Sequence, residues 1–338
     1  MKILMYSTRK HEFPAIEKWV KENGNNIQVD TITEDLSCET VEKAKGYDGI
    51  SIQQTNKIDD EIIYKKLNEY NIKQIASRAA GFDMINLDLA TKHNLIVTNV
   101  PAYSPNSVAE LAVTQTMNLL RNMPLINRNV KTGDFRWSAN LIAKEIRFTT
   151  VGIIGTGKIG ATAAKLFKGL GANVIAYDAF PNENLKDILT YKDTLEDLMK
   201  EADVISIHTP LNEHTKHMIN KDNLKLMKKD AYLVNTGRGG VVNTQDLIEA
   251  LENKTISGAA LDTFETEGTF LNKVIPHYDL PDEQIQKLLK MENVIFTHHI
   301  GYFTTTAVEN LVGTALDSVK EVLTTGDSVN NVLKLKIH

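Results

Sequence analysis

Four polar residues in the second half of the chain, Arg238, Asp262, Glu267 and His299, have the types needed to reduce a carbonyl that sits beside a carboxylate. A guanidinium meets a carboxylate as a fork, through two charge-assisted hydrogen bonds. A carbonyl that becomes an alkoxide needs a proton donor that titrates near neutrality, which is histidine's range. A carboxylate beside that imidazole orients it and favours its protonated form. Arg238 as clamp, His299 as proton donor and Glu267 as its partner can fill these three catalytic roles on a 2-keto acid. Taken singly, a histidine is more often a structural residue and an arginine a surface charge. The reading therefore depends on elements that bring distant residues to one place.

Those elements are legible as short apolar runs. Residues 202–208 (ADVISIH), 231–235 (AYLVN), 258–261 (GAAL) and 294–297 read as strands. Thr236-Gly237-Arg238-Gly239-Gly240 follows the second, Asp262 closes the third, and His298-His299-Ile300-Gly301 follows the fourth. A short helix around Leu224 and Met227 and another over 246–252 lie between them. Strands that alternate with helices form a parallel sheet, and the carboxyl ends of its strands share one edge.

Residues 151–178, VGIIGTGKIGATAAKLFKGLGANVIAYD, precede these strands. Val151 to Ile154 reads as a buried strand. Gly155, Gly157 and Gly160 follow as G-x-G-x-x-G, and Ala163, Ala164, Leu166, Phe167 and Leu170 recur at helical spacing. Gly171 ends the helix, and residues 174–177 read as a second strand closing on Asp178. The first glycine permits a tight turn, the second lets a pyrophosphate approach the backbone, and the third lets helix pack on strand. The helix N-terminus offers N–H groups to phosphate. Asp178, roughly 20 residues on, sits where a carboxylate accepts from ribose hydroxyls. It would repel a 2′-phosphate, so NAD is favoured over NADP. The alternative is an ordinary β-α-β unit with glycines for packing. Strand, glycines, helix, strand and acid in the right order argue for the dinucleotide.

The chain has 338 residues, room for two domains and a large core. Its hydrophobic content of 42% and charged content of 24% are those of a soluble globular protein. Lys+Arg number 38 against Asp+Glu 43, and with no basic tract this argues against a nucleic-acid partner. Cys38 is the sole cysteine, which excludes an intrachain disulfide and a cysteine metal cluster and fits a reducing compartment. The histidines lack ligand spacing, so no metal is expected. The start, MKILMYST, is too short for a signal peptide, and no run approaches the ~20 apolar residues that span a bilayer. A cytoplasmic protein without a membrane partner is expected.

Residues 1–100 carry the same rhythm without the glycine fingerprint. Strands are expected over 2–6, 26–31, 49–52, 74–77 and 96–99, with a helix through Ile16, Trp19 and Val20 ended near Gly24. The turn Ser77-Arg78-Ala79-Ala80-Gly81 follows one strand, and backbone N–H groups near Ala80 and Gly81 either hold a small carboxylate or form a plain turn. Pro101 and Pro105 mark a boundary. A helix over 106–121 follows, with Val108, Leu111, Ala112, Gln115 and Leu119 on one face, and it continues through Ile126 and Val130 with a break at Pro124. Trp137 in the GDFRW loop is expected in the core rather than over a cleft, because burial favours large aromatics inside. A last helix is expected over 306–323.

Taken together, VGIIGTGKIG, HTPL, NTGRGGVV, LDTFETEG and THHIGYFTT resemble the D-isomer-specific 2-hydroxyacid dehydrogenases over nearly the whole chain. NVPAYSPNSVAELAV, GDFRW and THHIGYFTT are most similar to the D-lactate dehydrogenase branch. The family's acid lies five residues after the strand-end aspartate, which leads from Asp262 to Glu267 and makes Glu265 a decoy. Its histidine ordinarily follows a proline. Here Thr297-His298-His299 departs from that pattern, with His299 in the histidine position and His298 as a rival. The resemblance further implies Lys158 and Ile159 at the pyrophosphate through their backbone, and Thr209, Pro210 and Thr215 along the cofactor. It implies Thr236, Gly237 and Arg238 near the nicotinamide, Asp262 at the carboxamide, and Tyr103 on the substrate side. Tyr302 and Phe303 would narrow the pocket toward a small side chain, unless they face the core.

The expected fold is α/β, two Rossmann-like or flavodoxin-like domains with parallel sheets flanking a cleft. Residues 1–101 with 301–338 form the substrate (catalytic) domain, and 102–300 the NAD-binding Rossmann domain. Closure of a hinge would bring Ala80 and Gly81 against Arg238. The expected reaction is the reversible reduction of pyruvate to D-lactate by NADH. The alternatives are a bulkier, branched-chain 2-keto acid, or a non-catalytic NAD(H)-sensing regulator on the same fold. A homodimer is implied by the family, with the helix after Pro105 either at its interface or turned inward.

Overall fold

The structure is a computed structural model that describes residues 1–24, 26–54, 56–271, 273–276, 279–280 and 282–337. The chain divides into two compact units, Met1–Ser104 with Phe303–His338, and Pro105–Tyr302. Each is an α/β layer structure built on one parallel sheet.

The first unit contains β1 (Lys2–Met5), β2 (Gln28–Thr31), β3 (Gly49–Ile52), β4 (Gln74–Ser77) and β5 (Ile96–Thr98), ordered β2-β1-β3-β4-β5. All pairings are parallel. Side chains alternate across a strand, so one sheet feeds two cores. Leu4, Ile50, Ile52, Ile75 and Val97 pack on one face. Ile3, Met5 and Ala76 pack on the other, with Trp19 of the Phe13–Asn23 helix and Val312, Leu316 and Val319 of the Thr305–Thr325 helix. Gly24 ends the first of these helices at φ +97°.

The second unit contains β6 (Thr150–Ile154), β7 (Asn173–Tyr177), β8 (Thr190–Tyr191), β9 (Val204–Ile207), β10 (Tyr232–Asn235), β11 (Gly258–Leu261) and β12 (Val294–Phe296). Their order is β12-β11-β10-β9-β6-β7-β8, all parallel. Chain order reverses between β6 and β9. In open α/β sheets ligands bind beyond the strand ends at such a point. Ile205, Ile207, Leu233 and Leu261 fill one face of this sheet. Val151, Ile153, Val174, Val204 and Val234 fill the other.

The Pro105–Leu120 helix turns its apolar face inward. Ala109, Ala112, Leu119 and Leu120 pack with Ala163, Ala164 and Phe167 of the Lys158–Gly169 helix. The break near Pro124 is sharp. Asn122 adopts the left-handed region (φ +53°), and a separate helix runs over Met123–Lys131 with no buried residue.

Trp137 overturns its expectation, since it is fully exposed. Phe135, Ile142 and Phe148 nearby are exposed as well. The area argument holds that a large aromatic gains by burial, but nothing requires the burying surface to belong to the same unit of the chain. Among the described residues, no helix is long and apolar enough to cross a membrane.

Candidate functional site

The glycines of the 155–160 segment form a cradle. Gly155 stands at φ +89°, and a Cβ there would come within 2.9 Å of the Thr209 Cγ2 and 3.0 Å of the His208 backbone. A Cβ on Gly160 would fall 1.9 Å from the Gly155 carbonyl oxygen, so strand and helix pack closely only through glycine. Gly157 is different. A Cβ there would meet nothing within 4 Å, so the space beside it is open. Gly157 is also the N-cap of the Lys158–Gly169 helix and caps it with no side chain. The first N–H groups of that helix, on Lys158 and Ile159, are therefore available to an anion.

Asp178 follows β7. Its Oδ2 accepts from the Thr156 backbone N–H (2.5 Å) and hydroxyl (2.8 Å), and its Oδ1 accepts from the Phe180 N–H (2.8 Å). A carboxylate has about four lone-pair sites, so one remains for a ribose hydroxyl.

Thr209 follows β9 and Thr236 follows β10. Their buried hydroxyls have no partner among the described residues. Buried polar atoms are ordinarily satisfied, so two orphans at the ends of neighbouring strands, Thr209 against Gly155, fit a polar ligand. The same cradle, helix end and acid are the parts that would hold NAD. Thr215 is occupied in shaping its own turn, where its hydroxyl donates to the Pro210 carbonyl (2.6 Å) and accepts from the Asn212 N–H (2.9 Å). His208 lies behind the cradle, with Nε2 2.9 Å from the Ser206 hydroxyl. Burial pushes its imidazole down to about 4.

The other half of the site stands at the ends of β10, β11 and β12, which pair in register at Asn235, Leu261 and Phe296. Asn235 holds the turn after β10, donating to the Arg238 carbonyl (3.1 Å) and accepting from the Gly237 N–H (3.0 Å). Gly239 follows because a Cβ there would sit 2.0 Å from the Phe264 carbonyl carbon. The Arg238 turn is thus packed against the segment that runs from Asp262 to Glu267. Arg238 Nη1 donates to the Gly237 carbonyl (3.1 Å).

The structure brings Glu267 and His299 together. His299 Nδ1 is 2.9 Å from Glu267 Oε1, while Glu267 Oε2 accepts from the Phe264 N–H at 3.1 Å. With Nδ1 engaged, Nε2 is the ring nitrogen left for substrate. His298 is exposed, and Glu267 pairs with His299. Glu265 makes a separate pair with His217 (2.6 Å) and accepts from the Thr244 N–H and hydroxyl. Burial raises its carboxyl, but the bonds from Thr244 and His217 outweigh this and hold it below the ordinary carboxylate value. The Tyr302 ring stands edge-on to the His299 ring, centroids 6.4 Å apart.

Asp262 has an additional occupation that residue types do not reveal. Its Oδ1 accepts from the Thr297 hydroxyl (2.6 Å) and the Ile300 N–H (3.0 Å), and its Oδ2 from the Gly301 N–H (2.9 Å). One lone-pair site remains for a carboxamide.

In the first unit, the turn after β4 points its carbonyls inward. Ala79 O accepts from the Val100 N–H (2.9 Å), Ala80 O from the Asn99 side chain (2.7 Å), and Gly81 O from the Ser77 hydroxyl (3.3 Å). The turn begins at Arg78, which is fully buried and ion-paired with Glu12 (2.8 Å). The Tyr103 carbonyl accepts from the Asn310 side chain (2.5 Å).

Residues 113–301 match the family described as D-isomer specific 2-hydroxyacid dehydrogenase, NAD binding domain. The chain is 62% identical over 332 residues to the D-2-hydroxyacid dehydrogenase (NAD(+)) of Clostridioides difficile, covering 98% of this chain and 100% of that one. Among solved structures it is similar to a D-lactate dehydrogenase from a Sporolactobacillus species, at 50% identity, 98% coverage of both chains and a TM-score of 0.87. It is also similar to a D-2-hydroxyisocaproate dehydrogenase, at 38% identity, coverage of 98% and 99%, and a TM-score of 0.91. Glycine cradle, strand-end acid and imidazole–carboxylate pair therefore sit in a chain that belongs to the D-isomer-specific 2-hydroxyacid dehydrogenases, NAD-dependent enzymes.

Proposed function

We propose that this enzyme reversibly reduces a small 2-keto acid, pyruvate in the first instance, to the D-2-hydroxy acid. The observation that carries the reading is the Glu267–His299 pair at 2.9 Å, on the same sheet edge as Arg238. Arg238 clamps the substrate carboxylate through its guanidinium fork. His299 delivers the proton from Nε2 to the carbonyl oxygen, and Glu267 keeps Nδ1 in place and balances the imidazolium charge. NADH, when bound, supplies the hydride. The Ala80 and Gly81 amides are proposed as a carboxylate holder, with their carbonyls tied back. Residues 102–300 are proposed as the NAD-binding domain and 1–101 with 301–338 as the substrate domain, within a few residues of the bounds of the two compact units.

Replacing His299 by Ala should lower turnover on the order of 10²–10⁴-fold in an NADH absorbance assay, the contribution of a positioned acid. Turnover near that of the wild type would reject the role.

A second substrate reading is favoured by the relatives. One 62% identical protein is named for 2-hydroxy acids in general, and a structure with a TM-score of 0.91 is a D-2-hydroxyisocaproate dehydrogenase. Turnover on pyruvate against 2-ketoisocaproate separates the two. A homodimer is part of the proposal. The exposed Phe135, Trp137, Ile142 and Phe148, four large apolar side chains within one 14-residue stretch, support it, since exposed apolar surface of this kind marks interaction sites. A cytoplasmic location is proposed on the single cysteine.

A further inference from the structure

We infer that Tyr191, on β8, is a positioning residue for nucleotide selectivity, acting on Asp178 through Thr156. The inference rests on Asp178 as the ribose acceptor and deepens that assignment. A carboxylate accepts and never donates, so the hydrogen-bond chain that ends on Asp178 has a forced direction. The Thr156 hydroxyl must give its proton to Asp178 Oδ2 (2.8 Å). Thr156 Oγ1 can then only accept from its other neighbour, the Tyr191 hydroxyl at 2.9 Å. The Tyr191 oxygen in turn accepts from the Asn182 N–H at 2.8 Å, while the Asn182 carbonyl lies farther off at 3.4 Å.

Tyr191 therefore reaches both carboxylate oxygens. Through Thr156 it orients the hydroxyl that holds Oδ2 together with the Thr156 backbone N–H (2.5 Å). Through Asn182 it holds the 178–182 segment, in which the Phe180 N–H donates to Oδ1 at 2.8 Å. Thr156 is only 2% exposed, so water cannot readily replace a lost donor. Bonds in such a chain also strengthen one another. A carboxylate held in one plane presents its remaining lone pair, and its charge, in one direction. That direction is what accepts a 2′-hydroxyl and repels a 2′-phosphate. Without the tyrosine hydroxyl the Thr156 hydroxyl loses the donor that orients it, and the hold on the carboxylate falls back on the Thr156 and Phe180 backbone N–H groups.

The test compares kcat/KM for NADH and for NADPH in the wild type, Tyr191→Phe, Thr156→Val, the double variant and Asp178→Ala, each checked for its fold by circular dichroism. Tyr191→Phe should lower the NADH-to-NADPH preference about twofold to tenfold, the range for one net hydrogen bond. The loss should fall in KM for NADH and not in KM for the keto acid. Thr156→Val should do at least as much, and the double variant no more than Thr156→Val, because both break one chain. A destabilising packing defect would not move the cofactor ratio. If Asp178→Ala collapses the preference while Tyr191→Phe and Thr156→Val leave it at the wild-type value, the relay is wrong. If Asp178→Ala itself leaves the preference unchanged, the ribose assignment fails and the relay with it.

Discussion

His208 couples the cofactor cradle to acid stability. Its side chain lies half-buried behind Gly155 and Gly160 with Nδ1 shut off from solvent, and this desolvation holds it at about 4 against an ordinary 6.5. In the folded chain it stays neutral until the pH approaches 4, whereas in the unfolded chain it takes up a proton below about 6.5. Between those values the unfolded state binds more protons, so stability rises with pH across the window and is lost as pH falls through it. The full gap is worth roughly 3 kcal/mol at 1.36 kcal/mol per pH unit, and about 2 kcal/mol of it is gone by about pH 5. For a domain of about 150–250 residues that is a fall of about 4–8 °C in melting temperature.

Replacing His208 by Gln removes the titration and keeps an amide able to reach Ser206. Any constant cost of the substitution drops out when each protein is compared with itself at two pH values. Carboxylates that titrate in both proteins cancel in the difference. Urea unfolding of the cofactor-free protein, followed by circular dichroism from about pH 7.5 to about pH 5, should show the wild type losing about 2 kcal/mol more than the variant. If the two stability curves run parallel over that interval, His208 is not held neutral by its burial.

Two other substitutions bear on the site. Glu267→Gln leaves a neutral partner on His299 Nδ1 (2.9 Å in the wild type), so turnover should fall on the order of tenfold or more and the pH–rate profile of keto-acid reduction should move toward acid; an unmoved profile would remove the dyad from the mechanism. Gly160→Ala places a methyl 1.9 Å from the Gly155 oxygen and forces strand and helix apart, so NADH binding measured by fluorescence should weaken about 10- to 100-fold, and unchanged binding would show that the cradle has slack.

Most of the framework was legible because parallel strands buried on both faces read as continuous apolar runs. GISI, QIAS and GAAL lie at the residues where the strands lie. The glycine spacing is legible for a related reason, since close backbone approach leaves one residue type. β8 was not legible. It is two residues long and carries a threonine and a half-buried tyrosine, with no apolar run to mark it. The importance of Tyr191 was hidden with it, because a hydroxyl that bonds a threonine 35 positions away leaves no local pattern. Trp137 misled because hydrophobicity says that a side chain gains by burial and not which surface buries it. In the site, residue types marked Arg238, Glu267 and His299 as candidates. They did not reveal that the Asp262 carboxylate is largely engaged by backbone N–H groups, which every sequence possesses.

That engagement of Asp262 bears on the departure at position 298. A proline there would restrain its own φ and bias Thr297 toward extended backbone. With histidine in its place, restraint must come from tertiary bonds. The Thr297 N–H donates to the Leu261 carbonyl (3.0 Å) and the His299 N–H to the Asp262 carbonyl (2.7 Å). The Asp262 carboxylate adds Thr297, Ile300 and Gly301. Inside this frame His299 sits at φ +56°, a left-handed conformation that costs a non-glycine residue on the order of 1 kcal/mol and persists only where the surroundings over-determine it. Asp262 is 1% exposed, so its charge is tolerable only while those donors stay in place. Loop and carboxylate therefore hold one another. The imidazole inherits its position from β11, whose last residue immediately precedes Asp262, and Glu267 then fixes only the rotation of the ring.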